Sequence, residues 1–286
     1  MFDNYTEEEL RSICRKNIES LEMWARRLIH EKFREKYGTD YVDYKTSAEN
    51  FLIKREVRDH IHAMTKKEKG RFPRAVDTLF FEHIIYFLCN PAFHREIFQD
   101  ALKHAYPQGY EEAREFLSRL LPIRNALAHS NPISVRQAEQ AICYSHDFVD
   151  GLKKYYKKRG MEQVWNVPRI IRVTDSFGNV FDNPTETHGQ SSIFTVPQEI
   201  YCGDTYSLSI DIDSSFSKGD YDIIWKNHCK KVDNFFNAKN ISLTFKENDV
   251  CQGHLLSCQL VSHKAWHKYQ FYDCEIVLRL TVLPPV

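Results

Sequence analysis

The sequence predicts a two-domain α + β protein, with an all-α helical bundle over residues 1–160 and an antiparallel β-sandwich over residues 161–286. Three observations predict it. Apolar residues recur at helical spacing as far as about residue 158, and from Trp165 onward the period falls to two. Between the two patterns lies Lys153-Lys154-Tyr155-Tyr156-Lys157-Lys158-Arg159-Gly160, a basic helix end followed by a glycine. A chain of 286 residues suits two domains of ordinary size, and 42% hydrophobic with 27% charged residues is the composition of a soluble globular protein.

In the first half, Thr6 with Glu9 three places on is a capping box. Leu10, Cys14, Ile18, Leu21, Ala25 and Leu28 follow at helical spacing, and the pattern stops at Tyr37-Gly38. A second helix is expected over 47–67, with Ile53, Val57, Ile61 and Met64 as its stripe, before Gly70 and Pro73 break the chain. Val76, Leu79, Phe80, Ile84, Phe87 and Leu88 read as one central apolar helix. Asn90-Pro91 caps and opens the next, through Phe93, Ile97 and Ala101. A further helix starts near Tyr110 with Ala113, Phe116, Leu117 and Leu120 inward, and Pro122 is expected to kink or restart it. Ser130-Asn131-Pro132 is a turn, and Ser134 with Gln137 caps the last long helix.

In the second half, seven short strands are expected: 170–174, 192–196, 206–212, 221–225, 241–245, 255–261 and 275–282. Tyr206, Leu208, Ile210 and Ile212 alternate with polar residues, as on a half-buried sheet. Trp225 on one strand and Cys258 on a later one resemble an Ig-like sandwich, although Leu208 and Ile210 stand where a second cysteine would be paired.

Several function classes recede. None of the eight cysteines forms C-x-x-C, no Gly-rich phosphate loop or G-x-S-x-G elbow occurs, and no cofactor or metal is expected. His60-x-His62 points its two rings apart on a helix, and Cys143 reads as a small core residue. With no leader at Met1-Phe2-Asp3-Asn4, no membrane-spanning run and scattered free thiols, a cytoplasmic location is expected. The formal charge is zero, but residues 1–160 hold 28 Lys and Arg against 24 Asp and Glu, and residues 161–286 hold 11 against 15. That asymmetry permits nucleic acid on the first half. Lys66-Lys67-Glu68-Lys69-Gly70-Arg71 and the lysines of 153–158 either guide a backbone or form a solvated loop and a cation-favouring helix end. Tyr155 and Tyr156 among them are candidates for base stacking, although Tyr156 already belongs to the core stripe, and His263, Trp266 and His267 form either a recognition surface or an ordinary strand-connecting loop, the latter favoured.

The candidate site is Leu120-Leu121-Pro122-Ile123-Arg124-Asn125-Ala126-Leu127-Ala128-His129-Ser130. Asn125 and His129 share a helix face, and the long Arg124 side chain is adjacent. Arginine, amide and imidazole suit a phosphate whose charge grows during reaction. The competing reading is a buried helix whose His129 hydrogen-bonds a carbonyl.

A helical bundle ending in Arg124-Asn125-x-x-x-His129 and one more long helix resembles the HEPN superfamily, which carries R-x(4–6)-H, commonly with a polar residue after the arginine. The resemblance covers about residues 6–158. It implies a metal-independent endoribonuclease, acting on RNA as a homodimer paired through the motif-bearing helices, in defence or stress-triggered cleavage. His129 would serve as general base or acid, Arg124 would hold the scissile phosphate, and Asn125 would orient one or the other. Asn131 stands where nucleotidyltransferase-regulated HEPN toxins often have tyrosine, which argues against that control. The sandwich would then sense a trigger or bind a protein partner.

Overall fold

In the computed structural model, residues 5–47, 50–68, 71–182, 184, 192–228 and 235–285 are described. The chain is α + β and divides into two compact units, one of residues 1–69 and 74–162, the other of 70–73 and 163–286.

The helical unit is built around α1 (Glu7–Tyr37). Its capping box forms as expected: the Glu9 N–H donates to Thr6 Oγ1 at 3.2 Å and the Thr6 N–H to Glu9 Oε2 at 2.8 Å. Two otherwise unpaired donors are thereby satisfied. Every residue of the expected stripe is buried. Phe33 sits among Phe87, Phe93 and Phe98, with ring centroids 5.1–5.9 Å apart, in an aromatic core.

Two expected helices begin later than their apolar patterns. Residues 48–49 lie outside the described residues, but Lys45 and Phe51 form an antiparallel bridge and the Asn50 carbonyl accepts from the Thr46 N–H at 2.9 Å. This turn delays α2 to Arg55–Lys67. In the same way, the Arg74 guanidinium grips Asp77 at 2.6 Å and the Arg74 N–H donates to its carboxylate at 3.1 Å. That buried pair closes a 3₁₀ turn at Ala75–Thr78, and Leu79 and Phe80 then run extended before α3 (Phe81–Cys89). Phe80 is therefore an exposed helix cap and not a core residue. The Gly70 break, with Lys69 beside it in the basic cluster, lies outside the described residues.

Asn90 caps as expected, accepting from the Ala92 and Phe93 N–H groups. Behind it α4 (Pro91–Phe93), a π-helical turn (His94–Phe98) and α5 (Gln99–Leu102) run on continuously. Next come α6 (Tyr110–Ala128), α7 (Val135–Lys158) and the short α8 (Glu162–Trp165). Gly151 of α7 lies against Ala105: a Cβ there would approach the Ala105 Cβ to 2.8 Å and its backbone N to 2.9 Å, so only glycine fits. Ser134 and Gln137 form their capping box. No helix of the described residues is long and apolar enough to cross a membrane.

The second unit has two four-stranded sheets, one in the order β2 (Val180–Asp182), β1 (Ile170–Asp175), β4 (Thr205–Ile212), β6 (Asn240–Thr244). The other runs β3 (Ser192–Tyr201), β8 (Cys274–Leu283), β7 (Cys251–Ser262), β5 (Tyr221–Asn227). The β4 alternation holds, with Tyr206, Leu208, Ile210 and Ile212 all buried. Trp225 and Cys258, both fully buried, face one another across β5 and β7.

Two strand expectations are corrected. Val180–Asp182 is an additional strand, too short to show a period. The pairing is also not wholly antiparallel: β3 runs parallel to β8, with a register shift between Thr195 and Glu199. Pro197 lies in that gap, and a proline lacks the N–H a ladder needs, which confines it to an edge strand such as β3.

Candidate active site

Arg124, Asn125 and His129 lie on the last turns of α6, which runs unbroken through Pro122. The helix does not restart there. Proline's fixed φ is compatible with a helix, and the ring sits on the exposed side, where water can solvate the carbonyl left without a partner.

The helix stops at His129 for a local reason. The Ser130 N–H donates to the Leu127 carbonyl at 3.3 Å and the Asn131 N–H to the Ala126 carbonyl at 2.8 Å, with Ser130 left-handed at φ 57°. This is the Schellman arrangement, formed here on a serine. Two arginines of α1 hold the same end. Arg15 Nη2 donates to the Leu127 carbonyl at 3.0 Å, and Arg11 Nη1 to the Asn131 carbonyl at 2.8 Å. Cations beside C-terminal carbonyls also offset the negative end of the helix dipole.

His129 is thus presented as the helix cap, exposed to solvent, and its imidazole makes no hydrogen bond among the described residues. The reading in which it is buried against a carbonyl is therefore corrected: the side chain at a helix end projects beyond the packed core.

Arg124 is half-buried and anchored. Its Nε donates to Glu22 Oε1 at 3.1 Å, and its Nη1 lies 3.5 Å from Asn125 Oδ1. The Glu22 side chain is only 8% exposed, and its other oxygen accepts from Arg26 Nη2 at 2.6 Å. The same Arg26 nitrogen reaches the Leu79 carbonyl at 2.7 Å. One buried carboxylate therefore fixes two guanidiniums, with Arg124 held by Nε and part of its fork still toward Asn125. The structure brings Arg124 and Asn125 into contact and puts His129 one turn further on, at the surface.

Sequence reasoning misses Glu22 and three of the arginines of α1, Arg11, Arg15 and Arg26. Residues 11, 15, 22 and 26 recur at helical spacing along one face, but charges at such spacing also mark any solvated helix face. Only the long-range pairing with α6 distinguishes them.

The weaker candidates sort clearly. Tyr155 and Tyr156 are buried, with Tyr156 Oη donating to Glu31 at 3.0 Å, so neither offers a face for bases. Their aromatic mass belongs to the core. Cys143 is exposed and not in the core, because it lies on the face of α7 opposite the buried Ala138, Ala141, Ser145 and Phe148. Desolvation and the neighbouring Asp147 carboxylate raise its thiol pKa, which suppresses the thiolate. Burial pushes Cys14 up to about 11 and Cys89 up to about 12. His60 bonds the Thr78 carbonyl while His62 reaches Asp43. His263 faces Asp222 and the Gly219 carbonyl, and His267 meets buried Asp273. Among the described residues no group of three His, Cys, Asp or Glu side chains could hold a metal ion.

No known family model matches the chain. No curated protein matches it either.

Proposed function

We propose that the chain is a metal-independent endoribonuclease of the HEPN type. Two copies would pair through their motif-bearing helices, in RNA cleavage triggered by stress or in defence. The observation that carries the reading is the exposed imidazole of His129, unbonded among the described residues, at the end of the helix that holds Arg124 fixed against Glu22. A proton-transfer group needs access to substrate, whereas a phosphate clamp needs a rigid seat.

The chemistry follows from those roles. His129 takes the proton of the substrate's 2′-hydroxyl, the 2′-oxygen forms a bond to phosphorus, and the bond from phosphorus to the 5′-oxygen breaks. The departing oxygen receives a proton, which leaves a 2′,3′-cyclic phosphate and a 5′-hydroxyl. Arg124 neutralises the charge that grows on the non-bridging oxygens, and Asn125 orients the phosphate or the imidazole. Histidine is the side chain best suited to exchanging protons near neutrality. The end groups test the scheme directly. Cyclic phosphate and 5′-hydroxyl termini are expected, and 5′-phosphate termini would contradict attack by the 2′-oxygen.

The sandwich fits a sensor or partner-binding role for such an enzyme. Its Ig-like reading is supported by Trp225 and Cys258 lying opposite one another on β5 and β7.

A second reading has its own support. The Glu22–Arg124 pair also locks α1 to α6, so the motif can serve packing and pairing in a non-catalytic RNA-binding or sensor subunit. Arg124→Ala would then reduce dimerisation or RNA affinity, with no cleavage by any variant.

A further inference from the structure

We propose that a second RNA phosphate, flanking the scissile one, binds between Arg11 and Arg15 in the cleft beside His129. The proposal rests on the ribonuclease reading and adds a subsite to it. The cleft has a volume of about 550 Å³ and is lined by Glu7, Glu8, Arg11, Ser12, Arg15 and Ser130, the last being the residue after His129.

Three features suit it to a phosphodiester. Arg11 and Arg15 are one turn apart on the same face of α1, ~6 Å along its axis. Each guanidinium is pinned through one Nη to the end of α6, at the Asn131 and Leu127 carbonyls. A guanidinium has five N–H donors, so pinning one fixes its plane and leaves others for a ligand. Arg15 pairs with no carboxylate among the described residues, and the Glu7 contact of Arg11 is long, at 4.0 Å, with Glu7 largely exposed. Glu7 and Glu8 also set the selectivity. Their charge opposes a free phosphate dianion more than the single charge of a diester, so the cleft favours nucleic acid over the inorganic ion.

The cleft is continuous in sequence with the reactive group, since the chain passes from Leu127, held by Arg15, through His129 to Ser130. A strand with its scissile phosphate on Arg124 and His129 can therefore lay a neighbouring phosphate here. Arg11 and Arg15 are binding residues in this scheme. They take no part in proton transfer.

The test uses full-length His129→Ala protein, which holds RNA without cutting it, and a labelled single-stranded RNA titrated across a salt series. Arg11→Gln and Arg15→Gln together are expected to weaken binding about tenfold and to flatten the slope of log affinity against log salt by roughly 0.7, the share of one single-stranded phosphate. Arg15→Lys keeps the charge and is expected to keep the slope. Glu7→Gln is expected to tighten binding, and millimolar inorganic phosphate to leave it unchanged.

Unchanged affinity and slope in the double variant, with a lowered melting temperature, would reduce the arginines to helix caps and overturn the proposal. Competition by inorganic phosphate would overturn it too, as would absence of RNA binding by the His129→Ala protein. If the unsubstituted protein fails to cleave RNA while the arginine variants still lose affinity and slope, the ribonuclease reading falls and an RNA-binding cleft remains.

Discussion

Glu22 Oε1 accepts a hydrogen bond from Arg124 Nε at 3.1 Å, across 102 residues of sequence. The carboxylate is nearly enclosed and serves Arg26 at the same time. Removing it leaves the Arg26 and Arg124 guanidiniums, both largely buried, without this counter-charge. Loss of one partner of a buried pair costs 3–5 kcal/mol, and the partial exposure of both arginines discounts that figure. Glu22→Ala is expected to destabilise the protein by about 2–3 kcal/mol in urea unfolding. Glu22→Gln keeps an acceptor for Arg124 but loses the charge, and is expected to lie between the two. In cleavage assays both variants should lower kcat more than they raise KM, because Arg124 is misaimed and not removed. Equal effects on stability with full activity would mean that Glu22 only joins the helices.

Ser130 adopts φ 57° to close the α6 end, a conformation that costs an L-residue ~1–2 kcal/mol relative to glycine. Ser130→Gly is therefore expected to raise stability by about 0.5–1 kcal/mol, once glycine's greater unfolded-state entropy is included. Thermal unfolding of the two proteins measures it. A lower melting temperature for the glycine variant would show that the serine hydroxyl stabilises the turn.

Acid should weaken the helical unit through His94. Its ring is buried, with Nδ1 3.1 Å from the Leu88 carbonyl, and desolvation lowers its pKa below the ordinary 6.5. Below about pH 6.5 the unfolded chain takes up a proton that the folded chain still refuses. Stability is therefore fully present above that pH and lost as the pH falls toward the folded-state pKa. Burial lowers the pKa of His83 as well, with the His60 ring adding to it, so the two residues act in the same sense. His94→Gln is expected to flatten the loss of stability between pH 7 and pH 5, measured by urea midpoints at each pH. An unchanged pH profile would remove His94 from the acid response.

Legibility in the sequence followed the range of the interaction. Thr6 with Glu9, Asn90 with Pro91 and Ser134 with Gln137 each cap a helix through contacts three residues apart or fewer, and all three are visible without tertiary structure. The alternating β4 residues are visible for the same reason, since one strand carries its own period. The delayed starts of α2 and α3 are not: a bridge between Lys45 and Phe51 and the Arg74–Asp77 pair override apolar patterns that read as helix. At Pro122 the helix does not restart, because an exposed proline can sit within a helix when solvent covers the orphaned carbonyl. In the candidate site, the three motif residues and the helix end at His129 are legible. The anchoring of Arg124 by Glu22 is not, because it joins two helices more than a hundred residues apart.

The most direct measurement is the rate of RNA cleavage by the unsubstituted protein and by His129→Ala, in excess chelator, beside a DNA strand of the same sequence. The unsubstituted protein is expected to cut RNA and leave DNA intact, and His129→Ala to be slower by ~10²–10⁴-fold, the usual contribution of a positioned acid–base. Cleavage of RNA by His129→Ala at the unsubstituted rate, cleavage of DNA, or no cleavage by the unsubstituted protein would each contradict the assignment of His129 as the proton-transfer group of a ribonuclease.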